Sequence, residues 1–215
     1  MVAYGLMKLQ QRKAKGLFIT FEGGEGTGKT TQIARLALNF EKQGRKVVVT
    51  REPGGSEIAN RIRSLILDPK MKGLVPLAEL FLYEASRAQH VKDIIEPALK
   101  KGAVVICDRF ADSSVVYQGA GRKIPAKIVR ELNKLATGCL QPHITFFLDL
   151  DPRIGLSRIG VRGVLDRIEK EALGFHQAVR KGYRKLAKAE HKRFVTIDAS
   201  LSRDQIHEAI CAKLF

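Results

Sequence analysis

Short apolar, β-prone runs alternate along the chain with longer segments in which apolar residues recur at helical spacing. The runs predict five strands, at residues 17–22, 46–50, 103–108, 143–149 and 193–198. The other segments predict helices, at residues 29–43, 58–67, 77–101, 125–137, 152–157, 165–189 and 203–213. Strands that alternate with helices form βαβ units, so the predicted fold class is α/β, a five-stranded parallel sheet flanked by helices. The nearly continuous apolar character of the strands fits burial on both faces.

Two residues that disfavour helix bear on the predicted boundaries. Gly44 follows the first helical segment and is well placed to end it. Pro97 lies near the end of the predicted helix at residues 77–101. Because proline lacks a backbone N–H donor, we expect it to kink or break that helix.

The composition is that of an ordinary globular protein, with 215 residues of which 45% are hydrophobic and 28% charged. We therefore expect a single domain over residues 16–215. Residues 1–15 carry several basic residues but no apolar stretch, so they do not resemble a secretory signal. They fit a disordered basic arm or a start-site extension, with Met7 as an alternative start.

The cysteine and apolar patterns bear on the compartment. Cys107, Cys139 and Cys211 are far apart and odd in number, which argues against a disulfide framework or a metal cluster. No apolar run approaches the ~20 residues of a membrane-spanning helix. We expect a cytoplasmic protein without a membrane partner.

The formal net charge of +16 leaves two interpretations open. The excess lysine and arginine could bind nucleic acid, or it could attract a small polyanion and keep the protein soluble. The basic residues are spread along the whole chain, without a basic cluster interleaved with aromatic residues. This distribution favours the second interpretation, with no nucleic-acid partner.

A glycine-rich segment, GGEGTGKT at residues 23–30, has the spacing GxxxxGK[ST] and lies between a predicted strand and a predicted helix. Glycines allow backbone N–H groups to surround phosphates, and the helix N-terminus favours their negative charge. Lys29 can reach the β- and γ-phosphates, and the Thr30 hydroxyl can bind Mg²⁺. We predict ATP or GTP binding by the loop and the residue after it, namely Gly23, Gly24, Glu25, Gly26, Thr27, Gly28, Lys29, Thr30 and Thr31.

Polar residues also end the second and third predicted strands. Asp108 has the position of a Walker-B-type carboxylate that would orient Mg²⁺. Arg51 and Arg109 should face the crevice at the carboxyl ends of the strands, where ligands bind in open α/β sheets. A helix N-cap for Asp108 and a surface ion pair for Arg109 are the alternatives. Together with Lys29, these arginines imply that more than one phosphate group is held.

A glycine- and arginine-rich segment at about residues 153–167 resembles a mobile lid. Closing such a lid would exclude water and bring an arginine to the transferring phosphoryl group. A solvated basic loop is the alternative interpretation. The arginines concerned are Arg153, Arg158, Arg162 and Arg167.

Five motifs in order resemble those of the thymidylate kinase family, over nearly the whole chain from Leu17 onward. They lie at residues 18–32, 50–55, 108–110, 117–119 and 165–169. The resemblance implies the P-loop nucleoside monophosphate kinase fold and transfer of the γ-phosphate of ATP to dTMP, with Mg²⁺. It also implies a homodimer.

The resemblance further implies roles for residues around the sugar and phosphates of dTMP. Glu25 would accept a hydrogen bond from the 3′-hydroxyl group, and Arg51 and Arg109 would bind the phosphate. Tyr117 would crowd the 2′ position and favour deoxyribose. Ala199 would lie near the adenine of ATP.

Three further residues would contact thymine if the resemblance holds. Tyr83 would stack on the base, Arg87 would donate to a thymine carbonyl oxygen, and Gln118 would bind the base edge. An aromatic residue on an apolar helix face is more often part of a core. However, Arg87 lies four residues after Tyr83 on the same face, and a ring beside a guanidinium suits a flat base with polar edges.

The phosphate loop contains no arginine, so the chain resembles the bacterial members that carry the catalytic arginine in the lid. Arg158 and Arg162 are jointly the candidates, acting with Lys29 and Arg109. Gly160 stands where some relatives carry a further arginine, and Phe110 replaces a commoner tyrosine or histidine.

Two other functions compete with this interpretation. A deoxynucleoside kinase or another nucleotide kinase would share the phosphate loop, but a nucleoside kinase needs a general base and has less use for two arginines at a phosphate. A nucleic-acid-dependent ATPase would show an Asp-Glu pair after the third strand, where this chain has Asp108 and Arg109.

Overall fold

The computed structural model describes residues 16–160 and 165–215. The expectation of disorder at residues 1–15 lies outside the described residues. So does the predicted catalytic residue Arg162.

All five predicted strands are confirmed to within one residue at each end. They are β1 (Leu17–Glu22), β2 (Val47–Arg51), β3 (Val104–Asp108), β4 (Ile144–Asp149) and β5 (Phe194–Asp198). Every pairing is parallel, and the order across the sheet is β2-β3-β1-β4-β5. The predicted α/β class and parallel sheet are therefore correct.

Nine α-helices and two π-helical segments lie in the described part of the chain. The α-helices are α1 (Lys29–Lys42), α2 (Glu57–Leu67), α3 (Pro76–His90), α4 (Glu96–Lys100), α5 (Ala111–Ser114), α6 (Ala126–Thr137), α7 (Pro152–Gly160), α8 (Leu173–Ala189) and α9 (Arg203–Cys211). The π-helical segments are π1 (Val91–Ile95) and π2 (Val115–Gly121).

The predicted single helix at residues 165–189 is wrong in its first part, because α8 begins only at Leu173. The carboxylate of Asp166 accepts hydrogen bonds from the backbone N–H groups of Ile168 and Glu169, both at 2.8 Å. Such a local bond from an aspartate side chain competes with helix formation. Residues 167–170 therefore form a turn ahead of the helix.

Pro97 does not end the helical path that begins with α3. The chain continues through π1 into α4, and Pro97 lies in the first turn of α4. A missing N–H is tolerated in a first turn. The sequence analysis did not predict α5 and π2. α5 has only four residues, and π2 contains two valines and two glycines, which have weak helix propensity.

The sheet has apolar layers on both faces, as a parallel sheet requires. On one face, Phe21 and Phe146 pack with α1 and α9. On the other face, Phe18 packs with Phe110 and π1, and Phe147 packs with Tyr183 of α8. All six residues of β1 are buried, so β1 is the centre of the core. In the described part of the chain, no helix has both the length and the apolar character to cross a membrane.

Candidate active site

One cavity of about 1000 Å³ lies along the carboxyl ends of the strands, above β1, β2 and β3. The register places Phe21 and Arg51 beside Asp108, so the residues that follow these strands meet at one edge. Most of the predicted site residues line this cavity. They are Glu25, Gly26, Thr27, Gly28, Lys29, Thr30, Thr31, Arg51, Tyr83, Arg87, Asp108, Arg109, Tyr117, Gln118, Arg158 and Ala199.

The phosphate loop connects β1 to α1 and leaves the start of α1 open to a ligand. Gly28 precedes α1 in the left-handed conformation, with a φ of 89°, and no side chain caps the helix. The free N–H groups and the helix dipole therefore favour an anion at this point. Lys29 donates to the backbone oxygens of Gly24 at 3.0 Å and Gly23 at 3.4 Å, and burial lowers the pKa of its ammonium group.

The loop is supported by the first turns of α7 at a contact between two glycines. A Cβ atom on Gly155 would collide with the backbone oxygen of Glu25, and a Cβ atom on Gly26 would collide with the backbone of Gly155. Gly26 also has a φ of 65°. The absence of side chains at both positions lets α7 touch the phosphate loop directly.

Asp108 and Thr30 lie side by side where a metal ion would meet the phosphates. The Thr30 hydroxyl donates to Oδ2 of Asp108 at 3.4 Å, while Oδ1 of Asp108 is buried without a hydrogen-bond partner. Residues 16–160 and 165–215 contain no group of three or more metal-binding side chains of His, Cys, Asp or Glu. An orphaned carboxylate oxygen beside a hydroxyl fits Mg²⁺, which proteins bind through one or two side chains plus substrate phosphates.

Arg109 is held in an unusual backbone conformation, with a φ of 69°. Its N–H donates to the oxygen of Phe21 at 2.9 Å, and its guanidinium donates to Gly23 O at 2.8 Å and to Glu25 Oε1 at 2.7 Å. The guanidinium also lies 4.9 Å from the centre of the Tyr117 ring, and the Tyr117 hydroxyl donates to the same Glu25 oxygen at 2.9 Å. These contacts place a cation and a carboxylate together beside the phosphate loop.

The Glu25 carboxylate is ionised over the whole physiological pH range. Burial raises its pKa, but the positive charges of Arg109 and Lys29 and the hydrogen bond from Tyr117 outweigh burial and lower the pKa to about 2. Glu25 can therefore only accept hydrogen bonds at neutral pH. By contrast, Arg51 is exposed, and its side chain has no hydrogen-bond or ion-pair partner among the described residues.

Sequence comparisons identify the family that carries this site. The sequence model of the family described as "Thymidylate kinase" matches residues 21–210. This chain belongs to the thymidylate kinase family. The "Thymidylate kinase" of Deinococcus radiodurans is 48% identical over 199 residues, which cover 93% of this chain and 96% of that protein. That of Geobacter sulfurreducens is 49% identical over 191 residues, covering 86% of this chain and 90% of that protein.

A solved structure leads to the same family. The crystal structure of thymidylate kinase from Ehrlichia chaffeensis superposes with a TM-score of 0.76 at 34% sequence identity. The match covers 94% of this chain and 99% of that one. The predicted family, the P-loop nucleoside monophosphate kinase fold and the assignment as a kinase are therefore confirmed.

In this thymidylate kinase family member, the residues predicted to contact the base lie on α3 and π2. Tyr83 lines the cavity, and burial raises the pKa of its hydroxyl. Gln118 is 1% exposed, and its Nε2 donates to Glu79 at 2.9 Å. The role of each in binding a base stays a prediction.

Arg87 reaches the cavity wall but is 1% exposed and is bound on most sides by protein. Its Nε donates to Glu52 at 2.8 Å and its Nη1 to Glu84 at 2.6 Å, with further acceptors on Ser114 and Asn133. Its Nη2 donates to the backbone oxygen of residue 110 at 3.3 Å. One N–H of Nη2 is thus left for a ligand. Arg87 also organises this part of the core, which the sequence analysis did not predict.

The arginines of the lid segment, residues 153–167, differ in their relation to the cavity. Arg158 lines it and makes one long hydrogen bond, from Nη1 to Gly26 O at 3.3 Å. Arg167 points elsewhere, since its Nε donates to Ile66 O at 2.8 Å and its Nη2 lies 2.6 Å from Glu79. Arg158 and Arg162 were the two candidates for the catalytic arginine. Arg158 lies at the cavity, and Arg162 lies outside the described residues.

Sequence reasoning missed Glu22, the fully buried last residue of β1. Its carboxylate accepts hydrogen bonds from Phe110 N at 2.8 Å, Ser113 Oγ at 2.7 Å and the Tyr183 hydroxyl at 2.6 Å. Burial and the charge of Asp112 raise its pKa to about 7. The bond to residue 110 fixes the backbone directly after Arg109. An acidic residue at the end of an otherwise apolar strand was the signal that could have revealed it.

Proposed function

We propose that this enzyme transfers the γ-phosphoryl group of ATP to the phosphate of dTMP, giving dTDP and ADP for dTTP biosynthesis. The observation that carries the proposal is the convergence of an open phosphate loop, Asp108 and two arginines, Arg51 and Arg109, around one cavity of about 1000 Å³. The cavity volume is at the upper end of the usual range for ligand pockets, which suits a site that must hold two nucleotides. Residues 16–215 would act as one kinase domain, with residues 153–167 as its lid.

The donor phosphates would bind at the phosphate loop. The uncapped N-terminus of α1 offers backbone N–H groups and a favourable dipole. Lys29 would exchange its bonds to loop carbonyl oxygens for bonds to the β- and γ-phosphates. Ala199, a buried residue of the cavity lining, would lie near the adenine.

Thr30 and Asp108 would hold a Mg²⁺ ion together with phosphate oxygens, since one oxygen of Asp108 lacks a partner. When bound, the ion would neutralise negative charge on the phosphates and align them for transfer. The Thr30 hydroxyl, now bonded to Asp108, would turn towards the ion.

The acceptor phosphate would be held by Arg51 and Arg109. The Arg51 side chain has no competing protein partner among the described residues, and Arg109 is anchored by its contacts with Glu25 and Tyr117. Two arginines can hold a phosphate with directed hydrogen bonds while neutralising its repulsion from the donor. Since the acceptor oxygen is already anionic, direct in-line transfer needs no general base or covalent intermediate.

The remaining contacts would select the sugar and the base. Glu25, as a permanent acceptor, would bind the 3′-hydroxyl group, and Tyr117 would exclude a 2′-hydroxyl group. Tyr83 would stack on thymine, with Arg87 and Gln118 at its edge. Arg158 and Arg162 would reach the transferring phosphoryl group when the lid closes.

We also propose a homodimer in the cytoplasm, with no nucleic-acid ligand. Ile58 on α2 is 53% exposed, and Phe81 on the adjacent helix α3 is 52% exposed. Together they form an apolar surface that a second copy would cover. All three cysteines are free, which suits a reducing compartment.

A coupled ADP-release assay tests the activity. ATP and Mg²⁺ would be offered with dTMP, dUMP, dCMP, dGMP, AMP or thymidine separately. We expect turnover largely with dTMP, and a loss of kcat/KM of about a hundredfold in Arg109→Ala. The matched control is Arg130→Ala, which removes an exposed arginine paired with Glu190 and should leave activity within about twofold.

Two results would contradict the proposal. Turnover of thymidine but not dTMP would indicate a nucleoside kinase. Inactivity with every acceptor, together with DNA-stimulated ATP hydrolysis, would indicate the nucleic-acid-dependent class.

A further inference from the structure

A buried carboxylate on α3, Glu79, joins three parts of the molecule. It is 1% exposed and accepts a hydrogen bond from Gln118 Nε2 at 2.9 Å. Arg122 donates to it through Nε and Nη2, both at 3.1 Å, and Nη2 of Arg167 lies 2.6 Å away. Glu79 therefore connects α3 to π2, to the residue directly after π2, and to the base of the lid.

The surroundings of Glu79 keep it ionised. Burial raises its pKa, but the hydrogen bonds from Arg122 and Gln118 and the Arg122 charge outweigh burial, so the pKa lies below its ordinary value. An ionised carboxylate has no proton to donate. Every group that bonds to Glu79 must therefore be a donor.

This requirement fixes the orientation of the side-chain amide of Gln118. An amide carries an NH₂ donor and a carbonyl acceptor, and either end could in principle face the cavity. Because Glu79 can only accept, Gln118 must turn its NH₂ group towards it. Gln118 lines the cavity, and its Oε1 has no hydrogen-bond partner among the described residues. The amide thus offers a carbonyl acceptor to a ligand.

An acceptor at this position distinguishes pyrimidine bases by their N3 atom. Thymine and uracil carry a hydrogen on N3, whereas N3 of cytosine is an acceptor with a lone pair. We propose that Glu79 is a positioning residue that sets the base specificity, because it locks the Gln118 amide with Oε1 towards N3 and so admits thymine and rejects cytosine. This inference rests on the proposed function, and specifically on the base edge lying beside Gln118.

The test compares kcat/KM for dTMP and dCMP in the full-length enzyme and in Glu79→Gln. Glutamine at position 79 can donate as well as accept, so the Gln118 amide can turn over. We expect the ratio of kcat/KM for dTMP to that for dCMP to fall about tenfold or more, with the absolute rate for dCMP rising. Thermal melting of each variant checks that it is folded.

The matched control is Arg122→Met. This change removes two hydrogen bonds from the same carboxylate but leaves the bond between Glu79 and Gln118. We expect it to change the rates for both substrates together and to leave their ratio within about twofold. An equal fall of the ratio in both variants would mean that Glu79 only braces the lid, and the proposal would be wrong.

A double variant, E79Q/Q118E, provides a second, independent test of the proposal. It exchanges the two groups, so that an accept-only carboxylate at position 118 faces the base and an amide at position 79 donates to it. We expect discrimination against dCMP to return. A folded E79Q variant with an unchanged ratio, or a double variant that uses dCMP as readily as dTMP, would overturn the proposal. If the unmodified enzyme does not phosphorylate dTMP, the proposed function itself fails, which is a different result.

Discussion

Replacing Glu22 with glutamine should remove one component of the pH dependence of this protein's stability. Glu22 is fully buried and forms no ion pair with an arginine or lysine within the described ranges. Burial and the negative charge of Asp112 raise its pKa from the ordinary value of 4.5 to about 7, against the lowering effect of hydrogen bonds from Tyr183 and Ser113. The folded protein thus holds this proton more tightly than the unfolded chain does.

The sign of the effect follows from proton binding. Below pH 4.5 the carboxyl group is protonated in both states, and its full stabilising contribution is present. As the pH rises from 4.5 to about 7, the unfolded chain loses the proton while the folded protein keeps it, so stability falls. The pKa difference corresponds to ~3 kcal/mol, lost by the time the pH has passed through about 7.

Urea unfolding of the unmodified protein and of Glu22→Gln at several pH values between 4.5 and 8 measures this contribution. Glutamine cannot titrate, but its carbonyl group can still accept from the backbone N–H of residue 110. We expect the free energy of unfolding of the unmodified protein to fall by ~3 kcal/mol relative to that of the variant across this range. Glu131→Gln, a change at an exposed residue, should show no such trend. A difference that is constant, or that grows with pH, would refute the reasoning.

Two further predictions concern the core and the loop. Arg87→Met should lower the free energy of unfolding by about 3–5 kcal/mol, because it removes the arginine partner of two buried carboxylates, Glu52 and Glu84. In the same urea titration, Arg61→Met should cost less than ~1 kcal/mol, because the side chains of its ion pair with Glu57 are 79% and 82% exposed. Gly155→Ala should raise the KM for ATP about tenfold, because the new Cβ atom would push against the phosphate loop. Gly160→Ala should leave this KM unchanged, because no described atom lies within 4 Å of its Cβ position. Equal KM values in the two variants would disprove the importance of the contact between Gly155 and the loop.

Much of the candidate site could be predicted because its residues are tied to strand ends. Lys29 belongs to a local motif, and Arg51, Asp108 and Arg109 follow or end apolar strands. In a parallel sheet all carboxyl ends lie at one edge, so these residues had to meet. The structure places all four at one cavity. The position of each residue at the end of a parallel strand was sufficient to predict this part of the site.

The rest of the site depends on contacts between distant residues. Glu22 and Tyr183 are 161 positions apart, and Glu79 and Gln118 are 39 apart. Arg87 was predicted as a ligand contact from the family resemblance, supported by its spacing to Tyr83, yet it bonds mainly to buried protein groups. No periodic pattern shows which donors a buried carboxylate will find, since that is decided by how the helices pack.

The sequence by itself determined the strands, the phosphate loop and the edge of the sheet at which the chemistry lies, because these follow from local hydrophobic period and from the conformational freedom of glycine. Tertiary structure alone decided the strand order, the late start of α8 and the direction in which each buried polar group points. A buried charge must find partners wherever the fold brings them, and in this protein they come from helices far apart in the chain.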